Sequence, residues 1–323
     1  MAAPVEINLS EPFAVPDISA GRVDAASRLI ALEQNLAGLG NLMVAYSGGV
    51  DSVFLARVAH DVLGARALAA IADSPSLPRR ELQEALEIAA KFAFPVRVLQ
   101  TQEFANANYT ANPANRCYFC KHELFEQLTP LARAENFAVI AYGENASDIG
   151  DFRPGAQAAA EFLVRAPLKE AGLTKTEIRE LSAQLGLPTA DKPQMACLSS
   201  RVPYGETVTP EKLNMIEQAE YVLRDLGFHD VRVRHHQFPI SNFQSPIDSG
   251  GAQAAGKLAI GNSKLEMSLA RIEVGPGELQ NFLADGVADK IAGALKQIGY
   301  AYVTLDLQGY RRGSLNQALK PAA

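Results

Sequence analysis

Hydrophobic positions follow two different spacings along the first 200 residues of the chain. Short apolar runs alternate with segments in which apolar residues recur every three or four positions, as strands and amphipathic helices do. The predicted strands are NLMVAY, ARALAAIAD, PVRVLQT and FAVIAYGEN, and the predicted helices cover 23–39, 53–63, 79–92 and 121–136. Strands that alternate with helices in this way form parallel pairs, so the pattern predicts a doubly wound, mainly parallel α/β sheet.

The pattern changes near Pro203, after which a smaller α+β domain is predicted. A helix is expected over TPEKLNMIEQAEYVLRDLGF, with Thr209 as its N-cap and Pro210 at its first position. The strands DVRVRHH and LARIEV, a helix over ELQNFLADGVADKIAGALKQIG and the strand YVTLDL follow. The predicted organisation is an N-terminal extension (1–22), an α/β domain (23–203) and a C-terminal domain (204–323), with a flexible, Gly- and Ser-rich insertion at 237–267.

Composition narrows the class of protein. The 323 residues are 48% hydrophobic, which suffices for two cores, and no stretch approaches the roughly 18 apolar residues of a membrane helix. The N-terminus lacks the charged and apolar regions of a signal peptide, so we expect a soluble, cytoplasmic protein. A net charge of −6 disfavours a nucleic-acid partner, and three cysteines are too few for a disulfide framework.

The segment SGGVDS, from Ser47 to Ser52, joins a predicted strand to a predicted helix. Adjacent glycines let backbone N–H groups approach a phosphate, and the helix N-terminus adds positive potential. Ser47 and Ser52 offer hydroxyl donors. The segment is therefore predicted to bind an anion, and it matches neither the Walker loop nor the dinucleotide fingerprint. An ordinary strand–turn–helix corner, the alternative, has no need of an Asp and two Ser around the glycines.

SGGVDS resembles the loop of the ATP-pyrophosphatase (PP-loop) superfamily, whose HUP-like members split ATP between the α and β phosphates to adenylylate a substrate. The resemblance implies that this loop holds the pyrophosphate moiety and that Asp51 lies near Mg²⁺. The residues expected to bind ATP are Ser47, Gly48, Gly49, Asp51, Ser52, Asp73 and Gly143. Asp148, Asp151 and Arg153 lie in the loop that abuts the nucleotide in the superfamily, although a network of turn caps would also account for them.

Six segments follow one another in an order that resembles the LarE family of PP-loop sulfur transferases: NPANRCYFCK, YGENASDIGDFRPG, APLKEAGLTKTEIRELSAQLGLPTADKP, ACLSSRVPYG, VRVRHH and ARIEV. Members of that family make the thiolated, nicotinic-acid-derived pincer that holds nickel in lactate racemase. The resemblance covers the chain from about residue 23 to its end, apart from the insertion. It implies a small-molecule nucleotide substrate, a homo-oligomer, and a sulfide or sulfur-relay donor as a partner.

Cys197 stands where this family keeps its sulfur-bearing cysteine. In one mechanism known in the family, the thiolate attacks the adenylylated carboxylate, and C–S cleavage leaves dehydroalanine. In the other, three cysteines bind a [4Fe–4S] cluster that carries an extra sulfide. Cys117 and Cys120 form a C-x-x-C motif, and with Cys197 they supply three thiolates, which leave one iron of a cluster open.

Other uses of the C-x-x-C motif remain open at this point. A zinc site would need a fourth ligand from His122, His235 or His236. A redox dithiol would need the motif at the start of a helix, and Cys120 precedes a predicted one. The cysteines could also be buried and inert. A cluster is favoured, since the pair would have no task in the sacrificial mechanism.

The resemblance also points to charged residues in the second half of the chain. Arg232 and Arg234 alternate along one strand, which puts both side chains on one face, and their family counterparts meet the substrate phosphate. Arg201 is expected to steady a phosphate or to influence Cys197, with a surface ion pair as the alternative. Glu220 and Glu273 are expected to support a metal or the substrate, although solvated charges would explain them equally well.

Together these features predict an enzyme that uses ATP and Mg²⁺ to adenylylate a carboxylate of a pyridinium mononucleotide, and that inserts sulfur from a three-cysteine [4Fe–4S] cluster. The catalytic residues of this prediction are Cys197 and Asp51. Three alternatives are kept: Cys197 as a sacrificial donor, a tRNA-thiolating enzyme, and a nucleotide-binding regulator without chemistry.

Overall fold

The computed structural model describes residues 19–150, 153–193, 196–239 and 266–311. Its larger sheet contains β1 (Leu42–Tyr46), β2 (Ala67–Asp73), β3 (Val96–Gln100) and β4 (Val139–Tyr142). The strands lie in the order β3-β2-β1-β4, and every pair is parallel. All four correspond to predicted strands, and the doubly wound α/β prediction is confirmed.

Helices cover both faces of this sheet. They are α1 (Ser19–Leu39), α2 (Val50–Leu63), α3 (Arg79–Lys91), α4 (Ala107–Thr110), α5 (Arg116–Ala134), α6 (Pro154–Glu161), α7 (Pro167–Glu170) and α8 (Lys175–Gln184). Strand β1 is buried on both sides: Val44 packs in the core with α1, α2, α3 and α8, while Met43 packs in the core with α5 and α6. This explains why β1 is apolar at every position.

The start of α5 differs from the prediction. The helix was expected from Lys121 but begins at Arg116, so Cys117 and Cys120 both lie within its first turns. The apolar run CYFC hides this start, because Asn115 at the N-cap makes no side-chain capping bond. The helix α1 also begins earlier than predicted, at Ser19, inside the expected extension, of which residues 1–18 lie outside the described ranges.

The strand order places a switch point between β1 and β4. From β1 the chain continues to β2 and β3 on one side, whereas β4 pairs with β1 on the other side. Ligands of such sheets bind at the carboxyl ends of the strands next to the switch point. The SGGVDS segment follows β1 directly, and Gly143 follows β4.

A separate, smaller sheet lies towards the C-terminus. It consists of β5 (Arg232–Pro239), β6 (Glu266–Glu273) and β7 (Tyr302–Leu305) in the order β5-β6-β7. The first pair is antiparallel and the second is parallel. The helices α9 (Pro210–Asp225) and α10 (Val287–Ile298) pack against this sheet through an apolar core that includes Leu223, Val233, Ile272 and Leu295.

Two predictions for this region have different outcomes. Thr209 caps α9 as expected, because its side chain accepts a hydrogen bond from the backbone N–H of Lys212, and Pro210 occupies the first position. The single helix expected over 278–299 is wrong. A 3₁₀ segment (Pro276–Leu283) precedes α10, and Gly286, at φ +71°, separates them.

The segment between β5 and β6 was expected to be a flexible insertion over 237–267. In the structure the two strands extend into the ends of this range, to Pro239 and from Glu266. The rest of the insertion, residues 240–265, lies outside the described ranges. Within those ranges, no helix has the length and apolar character needed to span a membrane.

An apolar cluster joins the two halves of the chain. Leu198 and Val202 precede the predicted boundary at residue 203, whereas Val208, Leu213 and Ile216 follow it, and all five pack together in a buried core. The residues that follow Cys197 therefore pack against α9. This packing connects the segment of the third cysteine to the C-terminal part of the chain.

Candidate active site

The SGGVDS segment forms a tight loop between β1 and α2. Gly48 has a φ of +71°, and a Cβ atom built there would lie only 2.8 Å from Cβ of Ala85. Gly49 is the N-cap of α2, and because glycine has no side chain it leaves the first N–H groups of the helix without a side-chain cap. Backbone geometry and close packing therefore require a glycine at position 48, whereas the φ of −84° at Gly49 is open to other residues.

The two serines of the loop bind each other. Their hydroxyl oxygens are 3.0 Å apart, Ser52 donates a 3.0 Å hydrogen bond to the Gly49 carbonyl, and the Ser47 N–H donates to Ser52 Oγ at 3.1 Å. Ser52 therefore fixes the loop. Gly143, which follows β4, packs tightly against this loop, because a Cβ atom built there would lie 3.0 Å from the Ser52 nitrogen.

Asp51 lies in the first turn of α2, beside a cation that sequence reasoning did not single out. Its Oδ2 forms an ion pair with Lys175, whose own backbone N–H donates to Ser147 Oγ at 3.0 Å. The other oxygen, Oδ1, is buried and has no hydrogen-bond partner among the described residues. A carboxylate oxygen in that situation fits a Mg²⁺ ion, which prefers oxygen ligands.

A second acidic residue lies near Asp51. Asp148 forms an ion pair with Arg153. Burial raises the pKa of Asp148, and the neighbouring charge of Asp51 adds to the rise, whereas Arg153 and Lys175 oppose it. Asp151, expected in the same loop, lies outside the described ranges. The loop after β4 therefore contributes one carboxylate, Asp148, and one guanidinium, Arg153, to the site.

Asp73 does not reach this site in the structure. Its carboxylate, at the end of β2, accepts a 2.8 Å hydrogen bond from Gln100 and forms an ion pair with Arg79. The residues on either side of it, Ala72 and Ser74, line the cavity instead. Alternation along the strand explains the difference, since neighbouring side chains point to opposite faces.

A cavity of about 900 Å³ opens at the carboxyl ends of the strands, a volume in the range of small-molecule sites. Its wall includes Ser47, Gly48, Gly49, Asp51, Ser74, Ser76, Glu81, Glu103, Cys120, Lys121, Ser147, Asp148, Arg153, Lys175, Lys192 and Cys197. A neighbouring cavity of about 350 Å³ shares the loop and also contains Cys117 and Gly143. The phosphate loop and the cysteines therefore face connected space.

All three cysteines are free thiols. Cys117 is exposed, whereas Cys120 and Cys197 are half-buried, which speaks against inert core cysteines. Burial, followed by the charge of Cys197, raises the pKa of Cys120 to about 12. A redox dithiol depends on a lowered thiol pKa. Although Cys117 and Cys120 lie at a helix start, the raised pKa of Cys120 therefore does not favour a redox dithiol.

The thiols do not form a single-ion site. Within the described ranges, no group of three or more His, Cys, Asp or Glu side chains is arranged to hold one metal ion. His122 lies 3.7 Å from Glu126, and His235 lies 3.3 Å from the Tyr300 hydroxyl in the smaller sheet, so neither completes a zinc site. A [4Fe–4S] cluster does not need its thiolates to converge on one ion, because each thiolate binds a separate iron.

Arg116, immediately before Cys117, connects the cysteine segments. It is 4% exposed, donates to Asn112 Oδ1, and donates to the Ser199 carbonyl at 2.9 Å. Its Nη2 lies 3.9 Å from the Cys197 sulfur. Burial alone would lower the pKa of Arg116, but the neighbouring thiols of Cys197 and Cys117 raise it. The residue therefore keeps its positive charge beside the thiols.

Arg201 is buried completely, so the surface ion pair that was kept as an alternative does not hold. Its guanidinium lies 2.9 Å from Glu220 and donates to the carbonyls of Ala196 (2.5 Å) and Cys197 (2.9 Å). Burial would raise the pKa of Glu220, but Arg201 holds it below its usual value. This buried pair shapes the loop that carries Cys197.

Arg232 and Arg234 lie on one face of β5 as predicted, and both are about 5% exposed. Arg234 donates to Glu273 and to the Ser200 carbonyl, both at 2.8 Å. Arg232 lies 4.8 Å from the centre of the Tyr310 ring. Burial, and then the charge of Arg201, lowers the pKa of Arg232, so positive charges are concentrated beneath the Cys197 loop.

Several site residues were missed at the sequence level. They are Glu103, Arg116, Lys175 and Lys192, each of which lines the cavity or contacts a cysteine. Lys192 lies 2.6 Å from Glu81 and 2.8 Å from Glu84. Arg116 and Lys175 lie inside the quoted motifs NPANRCYFCK and APLKEAGLTKTE, so those motifs were the available signal.

Comparison with known proteins connects this site to a family. No family model matches the chain. The chain is 44% identical over 293 residues to an uncharacterised protein of Synechocystis sp., and the aligned region covers 91% of this chain and 98% of the relative. It is 26% identical over 204 residues to one subunit of the glutamine-hydrolysing GMP synthase of Methanopyrus kandleri, which covers 57% and 62% respectively.

A further relative carries a specific name. It is the pyridinium-3,5-bisthiocarboxylic acid mononucleotide synthase of Lactiplantibacillus plantarum, 30% identical over 298 residues, or 92% of this chain and 96% of the relative. Identity at this level along almost the whole of both chains shows a common family. The chain belongs to the LarE family of sulfur transferases and is an enzyme.

Proposed function

We propose that this enzyme activates a carboxylate of a pyridinium mononucleotide with ATP and replaces a carboxylate oxygen by sulfur, as a step in the synthesis of a nickel-pincer cofactor. The name of the Lactiplantibacillus relative describes a pyridinium ring with two thiocarboxylates. The corresponding dicarboxylate is therefore the substrate that we assign. One observation carries the proposal: the SGGVDS loop and Cys197 line the same cavity.

The first step forms an acyl adenylate. The substrate carboxylate attacks the α-phosphate of ATP, and pyrophosphate leaves with the electrons of the broken P–O bond. The N-terminus of α2 and the loop glycines would bind the departing phosphates through their backbone N–H groups. Lys175 and Arg153, on the cavity wall, offset their negative charge. Asp51 would hold Mg²⁺ through its unpartnered Oδ1, and the ion would neutralise phosphate oxygens.

The second step transfers sulfur to the activated carbonyl. A sulfur nucleophile forms the C–S bond, AMP leaves with the electrons of the C–O bond, and a thiocarboxylate remains. Cys117, Cys120 and Cys197 would hold a [4Fe–4S] cluster, which would supply sulfur in a reduced, nucleophilic form. One observation supports this donor: Cys120 and Cys197 line one cavity, and Cys117 lines the adjoining one.

The arginines beneath the Cys197 loop suit the phosphate of the mononucleotide. Arg232 carries a lowered pKa, caused by burial and by the charge of Arg201. A phosphate placed near it would relieve this repulsion, and the planar guanidinium matches phosphate oxygens. Glu220 and Glu273 keep the partner arginines in place through 2.8–2.9 Å ion pairs.

A second donor is kept because Cys197 lines the same cavity as the phosphate loop. In that mechanism the Cys197 sulfur forms the thioester and is lost from the protein, which leaves dehydroalanine. Arg116 would support this mechanism as well, since its guanidinium lies 3.9 Å from the sulfur.

One experiment separates the two donors. The protein is purified without oxygen, and its iron, acid-labile sulfide and visible spectrum are measured. Its intact mass is then taken after incubation with ATP, Mg²⁺ and pyridinium-3,5-biscarboxylic acid mononucleotide. Iron near four per chain with an unchanged protein mass supports the cluster. Absence of iron, with loss of one H₂S at Cys197, supports the sacrificial donor. Release of no pyrophosphate with this substrate would overturn the proposed function.

A Cys117→Ser variant tests the ligand set independently of turnover. Loss of iron and of the visible absorption is expected if Cys117 is a ligand. A variant with wild-type iron content would remove Cys117 from the set. Gln127→Asn, on an exposed part of the same helix, serves as the control for general effects on α5.

A further inference from the structure

Glu103 is a buried carboxylate on the wall of the cavity. It begins the short 3₁₀ segment that follows β3, and it is only 2% exposed. Its side chain lines the same cavity as Cys120 and Cys197. The reaction steps described above do not use it.

The two oxygens of Glu103 have different surroundings. Oε1 accepts a 3.2 Å hydrogen bond from the Ser76 hydroxyl, which lies 2.7 Å from the hydroxyl of Ser74. Oε2 is buried and has no hydrogen-bond partner among the described residues. Leaving a buried acceptor unpaired is costly, and the cost is larger for a charged group. The unpaired Oε2 of Glu103 therefore indicates that a ligand group binds beside it.

The other carboxylates of the cavity already have cations. Four carboxylates line it, and three of them form ion pairs: Asp51 with Lys175, Glu81 with Lys192, and Asp148 with Arg153. The remaining lysine on the wall, Lys121, has its Nζ 5.8 Å from the centre of the Phe125 ring. Within the described part of the chain, Glu103 is the cavity carboxylate that forms no ion pair with a protein cation.

Glu103 also lies close to the place where sulfur is transferred. The carbonyl of Ser76 accepts a 2.8 Å hydrogen bond from the N–H of Leu198, the residue that follows Cys197. Ser76 thus contacts both Glu103 and the cysteine loop.

We infer that Glu103 is the counter-ion of the substrate's pyridinium ring and selects a positively charged ring over a neutral one. The inference rests on the proposed function, which supplies a ring cation that is substituted with the reacting carboxylates. A buried carboxylate gains most from a cation that enters the same low-dielectric space. The pairing would also set the ring beside the cysteines, so that the activated carbonyl meets the sulfur.

The test compares two ligands that differ in ring charge. Pyridinium-3,5-biscarboxylic acid mononucleotide and its neutral 1,4-dihydro form share the carboxylates and the ribose phosphate. Their dissociation constants are measured without ATP by isothermal titration calorimetry on the wild-type protein. The wild type is expected to bind the pyridinium form at least about tenfold more tightly.

The variant Glu103→Gln keeps the shape of the side chain but removes its charge. It is expected to bind the two ligands with similar affinity, while ATP binding stays at the wild-type level. Glu103→Asp, which retains the charge, should recover part of the preference even if the Gln variant folds poorly. Glu81→Gln is the matched control, because it removes a cavity carboxylate that already has Lys192 as its partner; the preference should persist there.

The outcomes separate this inference from the proposed function. A wild-type protein that binds both forms equally, or a folded Glu103→Gln variant that keeps the preference, overturns the role of Glu103 alone. A wild-type protein that binds neither mononucleotide overturns the proposed substrate and this inference together. Loss of the preference in Glu103→Gln, with its persistence in Glu81→Gln, supports the inference.

Discussion

The guanidinium of Arg116 lies 3.9 Å from the sulfur of Cys197, although 81 positions separate the two residues in the chain. Arg116 is the second residue of NRCYFCK, and its contact with the Ser199 carbonyl at 2.9 Å holds the α5 cysteines beside the third one. Asn112 extends the connection through hydrogen bonds to the carbonyls of Val202 (3.2 Å) and Pro203 (2.7 Å). The cysteine constellation therefore depends on buried polar contacts between two distant segments.

Arg116→Lys tests this connection. A lysine keeps the charge, but its three donors sit on one nitrogen, whereas the guanidinium reaches Asn112 and Ser199 with Nη1 and Cys197 with Nη2. We expect sulfur transfer to fall by at least about tenfold, whereas pyrophosphate release stays near the wild-type rate. Thiocarboxylate formation and pyrophosphate release are measured side by side. Arg133→Lys, exposed in the last turn of the same helix, is the control; equal sulfur transfer in both variants would contradict the role of Arg116.

Asp51→Asn is expected to stop adenylylation. The substitution keeps the size of the side chain but removes the charge that pairs with Lys175 and the carboxylate that would hold Mg²⁺. Pyrophosphate release should fall by about 10²–10³-fold, the range seen when one electrostatic group is removed from a reaction site. Asp61→Asn, at the exposed end of the same helix α2, is the matched control. A variant at position 51 that responds to Mg²⁺ as the wild type does would refute this assignment.

Gly48→Ala is expected to damage ATP binding through the backbone. Alanine rarely adopts the φ of +71° found there, and its Cβ would lie 2.8 Å from Cβ of Ala85. The loop must shift, so KM for ATP should rise by about tenfold or more. Gly38→Ala is the control, since nothing lies within 4 Å of a Cβ at that helical position. An unchanged KM in Gly48→Ala would show that the loop does not need this conformation.

The sequence allowed the framework of the site to be predicted because that framework follows local rules. Apolar runs bounded by polar residues predicted all four strands of the larger sheet, and adjacent glycines after β1 predicted a tight loop between β1 and α2. The Thr209–Pro210 pair predicted the start of α9 for the same reason. Each of these signals is contained within a few neighbouring residues.

The rest of the site depends on pairs that are distant in the chain. Lys175 meets Asp51 across 124 positions, and no local spacing announces the pairing. The sequence around Arg201 suggests that this arginine binds a phosphate or lies at the surface, because arginine is rarely buried without a partner. Its partner in the structure, Glu220, lies 19 positions further along the chain, in α9. Local patterns predict which residues are polar, but only the packing of α9 under the Cys197 loop decides which of them remain available to a ligand.

His235 gives the smaller sheet a defined response to pH. It is fully buried, its Nδ1 lies 3.3 Å from the Tyr300 hydroxyl, and its Nε2 has no hydrogen-bond partner among the described residues. Burial, followed by the charges of Lys212 and His236, lowers its pKa to about 4. An unfolded chain binds a proton at this histidine below about pH 6.5, whereas the folded chain resists protonation down to about pH 4.

The free energy of unfolding should therefore be fully supported by His235 above about pH 6.5 and should fall as the pH drops from there to about 4, with a total effect of about 3 kcal/mol. His235→Gln has no group that titrates in this window, so its stability should decline less steeply over the same range. Urea unfolding at pH 7, 5.5 and 4.5 measures both slopes. His122→Gln is the control, because the His122 side chain is 39% exposed and its removal should leave the wild-type slope in place. Parallel slopes for wild type and His235→Gln would mean that the buried imidazole does not titrate as its surroundings require, and that the pH dependence arises from the carboxylates instead.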